Sequence, residues 1–220
     1  MRMEKIFNHI SINRVARSFI LADLLLFGGW GLISPLMSVY VVQNIANATL
    51  VTVGMLATIY WTVRSLVQIP VAIFIDRTEN EKDDVYFLVT GLLMISVSAF
   101  WLHFIETINQ LFVYQAFHAL GFGFYAASWS GIFSRHIDGK RTAFYWSLDH
   151  TILGVATGIA GIVGGLIAEK FGFGSIFTLA GILSFVSATV IFFVPDIVIP
   201  EKVGKKTPAT DHSPRSTSHI

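Results

Sequence analysis

Long apolar stretches alternate with short polar segments along almost the whole chain. A membrane-spanning helix needs about 20 predominantly apolar residues, and six stretches reach that length. In lipid, every backbone group must find its hydrogen-bond partner within its own segment, so each stretch is predicted to be a helix. The predicted spans are residues 17–42, 49–75, 85–104, 108–133, 142–171 and 175–197. The pattern therefore predicts an all-α integral membrane protein with six transmembrane helices.

The polar segments at the two ends complete the predicted domain organisation. Residues 1–16 are polar and basic and form a predicted cytoplasmic amino-terminal segment, ahead of the six-helix domain at 17–197. Residues 198–220 are poor in apolar residues and rich in Lys, Ser, Thr and Pro, which predicts a disordered cytoplasmic tail. The first apolar run is longer than the roughly 7–15 residues of a cleavable signal core, so we expect it to be a spanning anchor.

Basic residues set the predicted orientation of the helices. Cytoplasmic loops of membrane proteins carry an excess of Lys and Arg. One side of the predicted bundle carries Arg2, Lys5, Arg14, Arg17, Arg77, Lys82, Arg135, Lys140, Arg141, Lys202, Lys205, Lys206 and Arg215. The other side carries Lys170. We therefore expect both termini in the cytoplasm, and the inner membrane of a bacterial-type cell as the location.

Composition excludes several classes of function. Charged residues make up 13% of the chain, whereas about 25% is usual for a soluble domain. There is no cysteine, which excludes disulfides, thiolate metal sites and cysteine nucleophiles. No metal-ligand spacing, nucleophile triad or phosphate-binding glycine loop is present in the sequence. We therefore expect no enzymatic activity, no cofactor and no nucleic-acid partner, with the lipid bilayer as a partner.

Three stretches carry a resemblance to a known family. Residues 31–40 read Gly-Leu-Ile-Ser-Pro-Leu-Met-Ser-Val-Tyr, residues 70–77 end in Ile-Asp-Arg, and residues 164–177 begin Gly-Gly-Leu-Ile-Ala-Glu. Together they resemble the first helix, the loop after the second helix, and the fifth-to-sixth helix junction of the amino-terminal half of the major facilitator superfamily. Ala72 stands where that family has a glycine in the second stretch.

The resemblance implies a fold and a function. It implies a major-facilitator-type half bundle, half-size because members of the family normally have twelve spans. It further implies a secondary transporter of a small organic solute that works by alternating access between two halves. We expect a small-molecule substrate and a homodimer or a second six-helix half as partners, and proton coupling. The alternatives are a non-transporting assembly or accessory subunit, and an inactive truncated half.

Four ionisable residues fall inside the predicted spans. Asp23, Arg64, Asp149 and His150 lie at similar depths in the first, second and fifth spans. Intramembrane ionisable groups are costly and often mark proton or substrate pathways. They are therefore predicted to form a proton and charge network. The alternative interpretation is a structural ion pair, with Arg64 extending its charge toward the membrane surface.

The fourth span carries a polar and aromatic face. Gln115, His118, Tyr125 and Trp129 recur at helical spacing on an otherwise small and apolar segment. The first and fourth helices line the cavity in the family that the chain resembles. The predicted substrate-binding residues are therefore Trp30, Ser34, Gln115, His118, Tyr125 and Trp129. The alternative is that this aromatic face only packs against neighbouring helices.

Two further groups have predicted structural or gating roles. Small residues let membrane helices approach closely, and the fifth span contains five such glycines, Gly154, Gly158, Gly161, Gly164 and Gly165. The acidic residue of the family's second loop takes part in a gating charge network, which implies a gating loop formed by Asp76, Arg77 and Arg135. The alternative is a solvated turn, and residues 79–84 are expected to be a solvated loop.

Overall fold

The computed structural model describes residues 14–77, 81–137, 139 and 141–193. Regular structure in this part of the chain is helical throughout. The helices are α1 Arg14–Ile33, α2 Met37–Asn44, α3 Leu50–Arg77, α4 Glu81–Trp101, α5 Ile108–His136, α6 Thr142–Phe171 and α7 Phe173–Phe192, with a 3-10 turn at Leu102–Phe104. Residues 1–13 of the predicted amino-terminal segment, residues 194–197 of the predicted domain and the predicted tail at 198–220 lie outside the described residues.

The first predicted span is broken into α1 and α2 at Pro35. Proline has no backbone N–H and cannot continue the helical hydrogen-bond ladder. The Ser34 N–H still bonds the Trp30 carbonyl at 2.8 Å, but the Leu36 N–H bonds only the Ile33 carbonyl, at 2.9 Å. The tighter second bond closes the turn, and α2 restarts beyond it. The first stretch is thus a discontinuous helix, a feature that its hydropathy does not indicate.

Helix boundaries elsewhere follow ordinary capping chemistry. The Thr107 side chain accepts a hydrogen bond from the Gln110 N–H at 3.3 Å, and the Gln110 side chain accepts from the Thr107 N–H at 3.1 Å. This reciprocal pair satisfies two of the free N–H groups at the start of α5. Gly172, with φ of 81°, ends α6 and starts α7. A positive φ is readily adopted only by glycine, which explains the abrupt turn between these helices.

Within the described residues, five helical segments are long and apolar enough to cross a membrane. They are Val15–Ile33, Leu50–Arg77, Lys82–Phe104, Thr142–Phe171 and Phe173–Phe192. The helix α5 has 29 residues but is not among them, because Gln, His, Tyr, Trp and Ser side chains lower its hydropathy. The prediction of a helical membrane protein is confirmed. The assignment of α5 as a sixth span stays a prediction.

The helices pack in the order α3, α5, α4, α7, α1, α6, each against the next. Exchanging α1 with α5, α3 with α6 and α4 with α7 gives the same order read backwards, so the same pairs of helices remain neighbours. Such a relation is the mark of an internal repeat of three spans, as found in many transporter folds. The helices α3 and α6 are therefore at the two ends of the row. Much of their apolar surface contacts no other described residue. Leu66 of α3 and Ile162 of α6 are 69% and 71% exposed.

Only part of the glycine set on α6 serves packing within the chain. A Cβ built on Gly164 would lie 2.8 Å from the Cα of Leu32 on α1, so this position has no room for a side chain. A Cβ on Gly161 would meet Pro35 at an ordinary 3.5 Å. Gly154, Gly158 and Gly165 have nothing within 4 Å of such a Cβ. Gly164 therefore packs closely against α1, whereas no described atom lies against the open positions of Gly154, Gly158 and Gly165.

Substituting Gly164 with alanine is expected to destabilise the bundle by about 1–3 kcal/mol, because the added methyl group overpacks the contact with α1. The matched control is Gly28→Ala on α1, where an added Cβ would meet nothing within 4 Å. Alanine favours helix over glycine by up to about 1 kcal/mol, so this control is expected to be neutral or mildly stabilising. Thermal unfolding in detergent, followed by size-exclusion chromatography, measures both. Identical melting temperatures for the two variants would contradict the assigned α1–α6 contact.

Candidate functional site

Rings from three helices meet at the centre of the bundle. The helices α1 and α3 form no packing interface with each other, and both contact α5. Five side chains bridge the gap between them, and we call this group the aromatic cluster: Phe27, Trp30, Tyr60, His118 and Phe122. The Trp30 and His118 ring centroids are 4.1 Å apart, and those of Tyr60 and Phe122 are 5.9 Å apart. The cluster therefore joins α1 and α3 across α5.

His118 is held in one orientation within the aromatic cluster. The side chain is 6% exposed, and its Nδ1 lies 2.9 Å from Oγ of Ser98 on α4. The single hydroxyl hydrogen of Ser98 is already donated to the Ile95 carbonyl at 2.7 Å. Because Ser98 can then only accept, Nδ1 of His118 must carry the hydrogen. Its Nε2 is left as an acceptor on the side of the ring away from Ser98.

Arg64 lies beside the aromatic cluster rather than beside an acid. Its guanidinium donates to the Tyr60 hydroxyl at 2.9 Å and sits 5.3–5.9 Å from the centroids of the Tyr60, Trp61 and Phe122 rings. In the part of the chain that the structure describes, neither Asp23 nor Asp149 lies within ion-pair distance of it. The structure thus separates Arg64 from the two acids with which the sequence grouped it.

The two acids are both buried inside the bundle. Asp23 on α1 is 2% exposed and accepts a hydrogen bond from the Tyr125 hydroxyl at 2.5 Å. Asp149 on α6 is 1% exposed, and its Oδ1 is buried without a hydrogen-bond partner among the described residues. The helices α1 and α6, which carry the two acids, pack against each other. The structure therefore joins Asp23 to Tyr125 and places Asp149 on the adjoining helix.

His150 is directed away from this carboxyl pair. Its ring is exposed, and Nδ1 lies 2.9 Å from the Trp146 carbonyl one turn earlier on α6. Adjacent residues on a helix point about 100° apart, so Asp149 and His150 cannot share one face. Of the four residues grouped as a charge network, only Asp23 and Asp149 are buried on helices that pack against each other.

The predicted substrate-binding residues fall into separate places. Trp30 and His118 belong to the aromatic cluster, and Tyr125 adjoins it through Phe27 at 6.1 Å. Trp129 stacks on Phe133 at 4.5 Å, in a different ring group nearer the carboxyl end of α5. Gln115 is half-buried and Ser34 is exposed at the break between α1 and α2. Of the predicted residues on α5, His118 therefore lies between α1 and α3, whereas Trp129 reaches α1 through Phe19 at 6.3 Å.

The start of α4 and the end of α5 are joined by an ion pair. Arg135 donates to Asp84, whose side chain is buried although residues 79–84 were expected to be a solvated loop. Asp76 and Arg77 are exposed at the end of α3. Arg135 was grouped with Asp76 and Arg77 in a gating loop. It pairs instead with Asp84, because that residue is at the start of α4 and faces α5.

Sequence reasoning missed three residues of the site. Tyr60 and Phe27 were not singled out, and Ser98 was treated as part of an apolar span. A signal existed for Tyr60, which precedes Arg64 by four residues and so lies on the same helix face. No local signal exists for Ser98, because its contact with His118 joins two different helices. Among the described residues no group of three or more His, Asp or Glu side chains could hold a metal ion.

Fold and site together define a helical membrane protein. Its interior is polar and aromatic and lies between α1, which is interrupted at Pro35, and the helices α3 and α5. This is the kind of interior that transporters use. The Major Facilitator Superfamily profile matches residues 19–219, which is most of the chain. The chain therefore belongs to the Major Facilitator Superfamily, and it is a transporter-family protein rather than a member of an enzyme family.

One relative is a protein named an uncharacterized MFS-type transporter from Methanocaldococcus jannaschii. It is 25% identical to this chain over 187 residues. The alignment covers 83% of this chain and 47% of the relative. The chain thus spans about half the length of the curated relative it matches.

Proposed function

We propose that this chain forms a six-span half of a secondary active transporter, which moves a small organic solute by alternating access and couples that movement to protons. The observation that carries the proposal is the aromatic cluster with its oriented histidine, set between α1, α3 and α5 in a membrane bundle. Polar groups in such a position are retained at a cost in stability, which favours a role in binding.

The proposal makes α5 the sixth span. Its 29 residues extend about 43 Å at 1.5 Å per residue, which exceeds the roughly 30 Å hydrocarbon thickness. It packs between α3 and α4, both of which are apolar enough to span. The polar side chains in its middle part lie on buried or half-buried positions: His118, Tyr125 and Trp129 are 5–6% exposed. Low hydropathy is then what a cavity-lining helix is expected to have.

Proton coupling is supported by the pair Asp23 and Asp149. A carboxylate in the membrane interior must bind a proton or meet a cation, because an unpaired charge there costs several kcal/mol. In the described part of the chain no Lys or Arg forms an ion pair with either acid. Uptake and release of a proton by this pair would therefore accompany a change in its surroundings, as alternating access requires.

The orientation with both termini in the cytoplasm follows from the distribution of Lys and Arg. Fluorescent-protein fusions at either end are expected to fluoresce, and a reporter inserted at residues 45–48, between α2 and α3, is expected to lie outside. A phosphatase reporter read at the same three positions gives the complementary signal. An external signal from either terminus would contradict the orientation, the six-span count, or both.

A second six-helix half is needed in this proposal, and we propose a second copy of this chain. The matched relative has room for one further segment of this size, since the alignment covers 47% of it. The end helices α3 and α6 carry exposed apolar side chains, including Leu66, Ile69, Ile162 and Leu166 at 63–71% exposure. The glycines Gly154, Gly158 and Gly165 add an open face on α6 against which another helix fits closely.

Reconstitution into proteoliposomes tests the function. A broad panel of labelled organic solutes would be offered with an imposed pH gradient, without a gradient, and with a protonophore added. The expected result is uptake of at least one solute that requires the gradient and is abolished by the protonophore. If a solute equilibrates across the membrane equally with and without the pH gradient, the transport function stands and the proton coupling is contradicted. Absence of uptake across the panel would contradict the proposal and favour an accessory subunit.

A further inference from the structure

Arg64 has a setting that a structural role does not explain. It lies 13 residues from the cytoplasmic end of α3 and 14 from the other end. At 1.5 Å per residue that is about 20 Å from either end, farther than an arginine side chain can reach. Arg64 therefore cannot place its charge in the water beyond the membrane, which removes the interpretation of a side chain extended to the surface.

Its guanidinium is incompletely satisfied. One nitrogen donates to the Tyr60 hydroxyl, while Nε is buried without a hydrogen-bond partner in the described part of the chain. The surrounding groups are the faces of Tyr60, Trp61 and Phe122. Ring faces attract a cation but accept no strong hydrogen bond from it. A buried donor left unpaired is destabilising, so the setting favours an acceptor that the described chain does not supply.

A second unpaired donor lies beside the same ring group. The Trp30 Nε1 is buried and has no hydrogen-bond partner among the described residues. The Trp30 ring is 6.2 Å from Phe122 and the Arg64 guanidinium is 5.9 Å from that ring, so both flank Phe122. The gap between α1 and α3 thus presents one cation, two unpaired N–H groups and several ring faces. Trp61, whose ring lies 5.3 Å from the Arg64 guanidinium, is 60% exposed.

We infer that the gap between α1 and α3 is a binding site for an organic anion with a planar apolar body, whose carboxylate is recognised by Arg64 and the Trp30 indole N–H. An arginine binds a carboxylate through two parallel N–H···O bonds, which matches its free donors. The ring faces of Tyr60, Trp61 and Phe122 contact the apolar body of the ligand. The inference rests on the proposed transport function, since it names the class of solute carried by the same site.

Calorimetric titration of the protein in lipid nanodiscs tests the inference. The probes are 2-naphthoate, its neutral analogue 2-naphthamide, and the cationic 2-naphthylmethylamine, which share one ring system and differ in charge. We expect the acid to bind at least about tenfold more tightly than the amide, since a charged hydrogen bond is worth that much or more. The amine is expected to bind no better than the amide. Equal affinities for acid and amide in the wild-type protein would overturn the inference.

Two variants assign the effect to this residue. Arg64→Gln is expected to remove the preference for the acid, while Arg64→Lys keeps the charge and is expected to keep part of it. The matched control is Arg17→Gln on the exposed side of α1, expected to bind all three probes as the wild type does. An unchanged preference for the acid in Arg64→Gln would overturn the inference.

Uptake of the same three compounds into proteoliposomes separates this inference from the proposed function. Arg64-dependent binding of the acid without any uptake would contradict the transport function and leave the anion site standing. Uptake of a neutral or cationic solute that is unaffected by Arg64→Gln would leave the transport function standing and contradict the anion site. Arg64-dependent uptake of the acid supports both.

Discussion

Replacing Asp23 with asparagine is expected to abolish accumulation of the solute against its gradient while leaving passive exchange across the membrane. A gradient of one pH unit stores about 1.4 kcal/mol per proton, enough for about tenfold accumulation. Asparagine still accepts the hydrogen bond from Tyr125 but carries no exchangeable proton. The internal-to-external solute ratio should therefore fall from about ten, for one coupled proton, to one. Asp149→Asn is expected to give the same loss.

The control for these variants is Glu169→Gln, which removes an exposed carboxyl group at the outer end of α6. It is expected to accumulate the solute as the wild type does. Counterflow of labelled against unlabelled solute, in the absence of a pH gradient, reports whether the variants remain folded and mobile. Normal accumulation by both asparagine variants would show that the two acids are structural and would refute coupling through them.

Separating the two copies is the second change with a large expected effect. We expect a nanodisc that holds one copy to be inactive in solute binding and a nanodisc that holds two copies to be active. In a single half, the gap between α1 and α3, which contains Arg64 and His118, would either face lipid or close. Leaving such groups unpaired against hydrocarbon costs several kcal/mol each. Native mass spectrometry counts the copies, and calorimetry measures binding on the same sample.

Leucine substitutions test the proposed contact surface of the dimer. Gly158→Leu and Gly165→Leu add bulk on the open face of α6 and are expected to shift the population to single copies. Gly161 is unsuitable because a side chain there meets Pro35 of the same chain. The control is Ala116→Leu on the half-buried surface of α5, away from α6. A single copy that binds and transports would contradict the dimer.

How far the site could be predicted differs from residue to residue. The spacing of His118, Phe122 and Tyr125 predicts one face of α5, because helical periodicity is a local property. The partner of that face is not local. Ser98, which fixes the orientation of His118, is 20 residues away on another helix, and Tyr125 meets Asp23 across 102 residues. Neither contact leaves a pattern within one segment of the sequence.

Charge pairing was the least predictable part. Similar depths in the membrane suggested that Arg64, Asp23 and Asp149 would meet, but depth constrains only one coordinate. The rotation of each helix about its axis and its place in the bundle decide the other two. In the folded chain these put Arg64 among aromatic rings and pair Arg135 with Asp84. Two ions at equal depth on helices that do not face each other remain apart.

The sequence by itself determined that the chain is a helical membrane protein, because long apolar segments in lipid have no alternative to helix. It also placed the start of α5 at Ile108, where the helix begins in the structure, and indicated which residues share a face on a helix. Only the tertiary structure decided which faces meet, that Gly164 rather than its neighbouring glycines packs against α1, and that Arg64 lies between α1 and α3 without an acid. The reason is physical: helix formation depends on hydrogen bonds four residues apart, whereas the packing of one helix on another depends on shape complementarity between segments far apart in sequence.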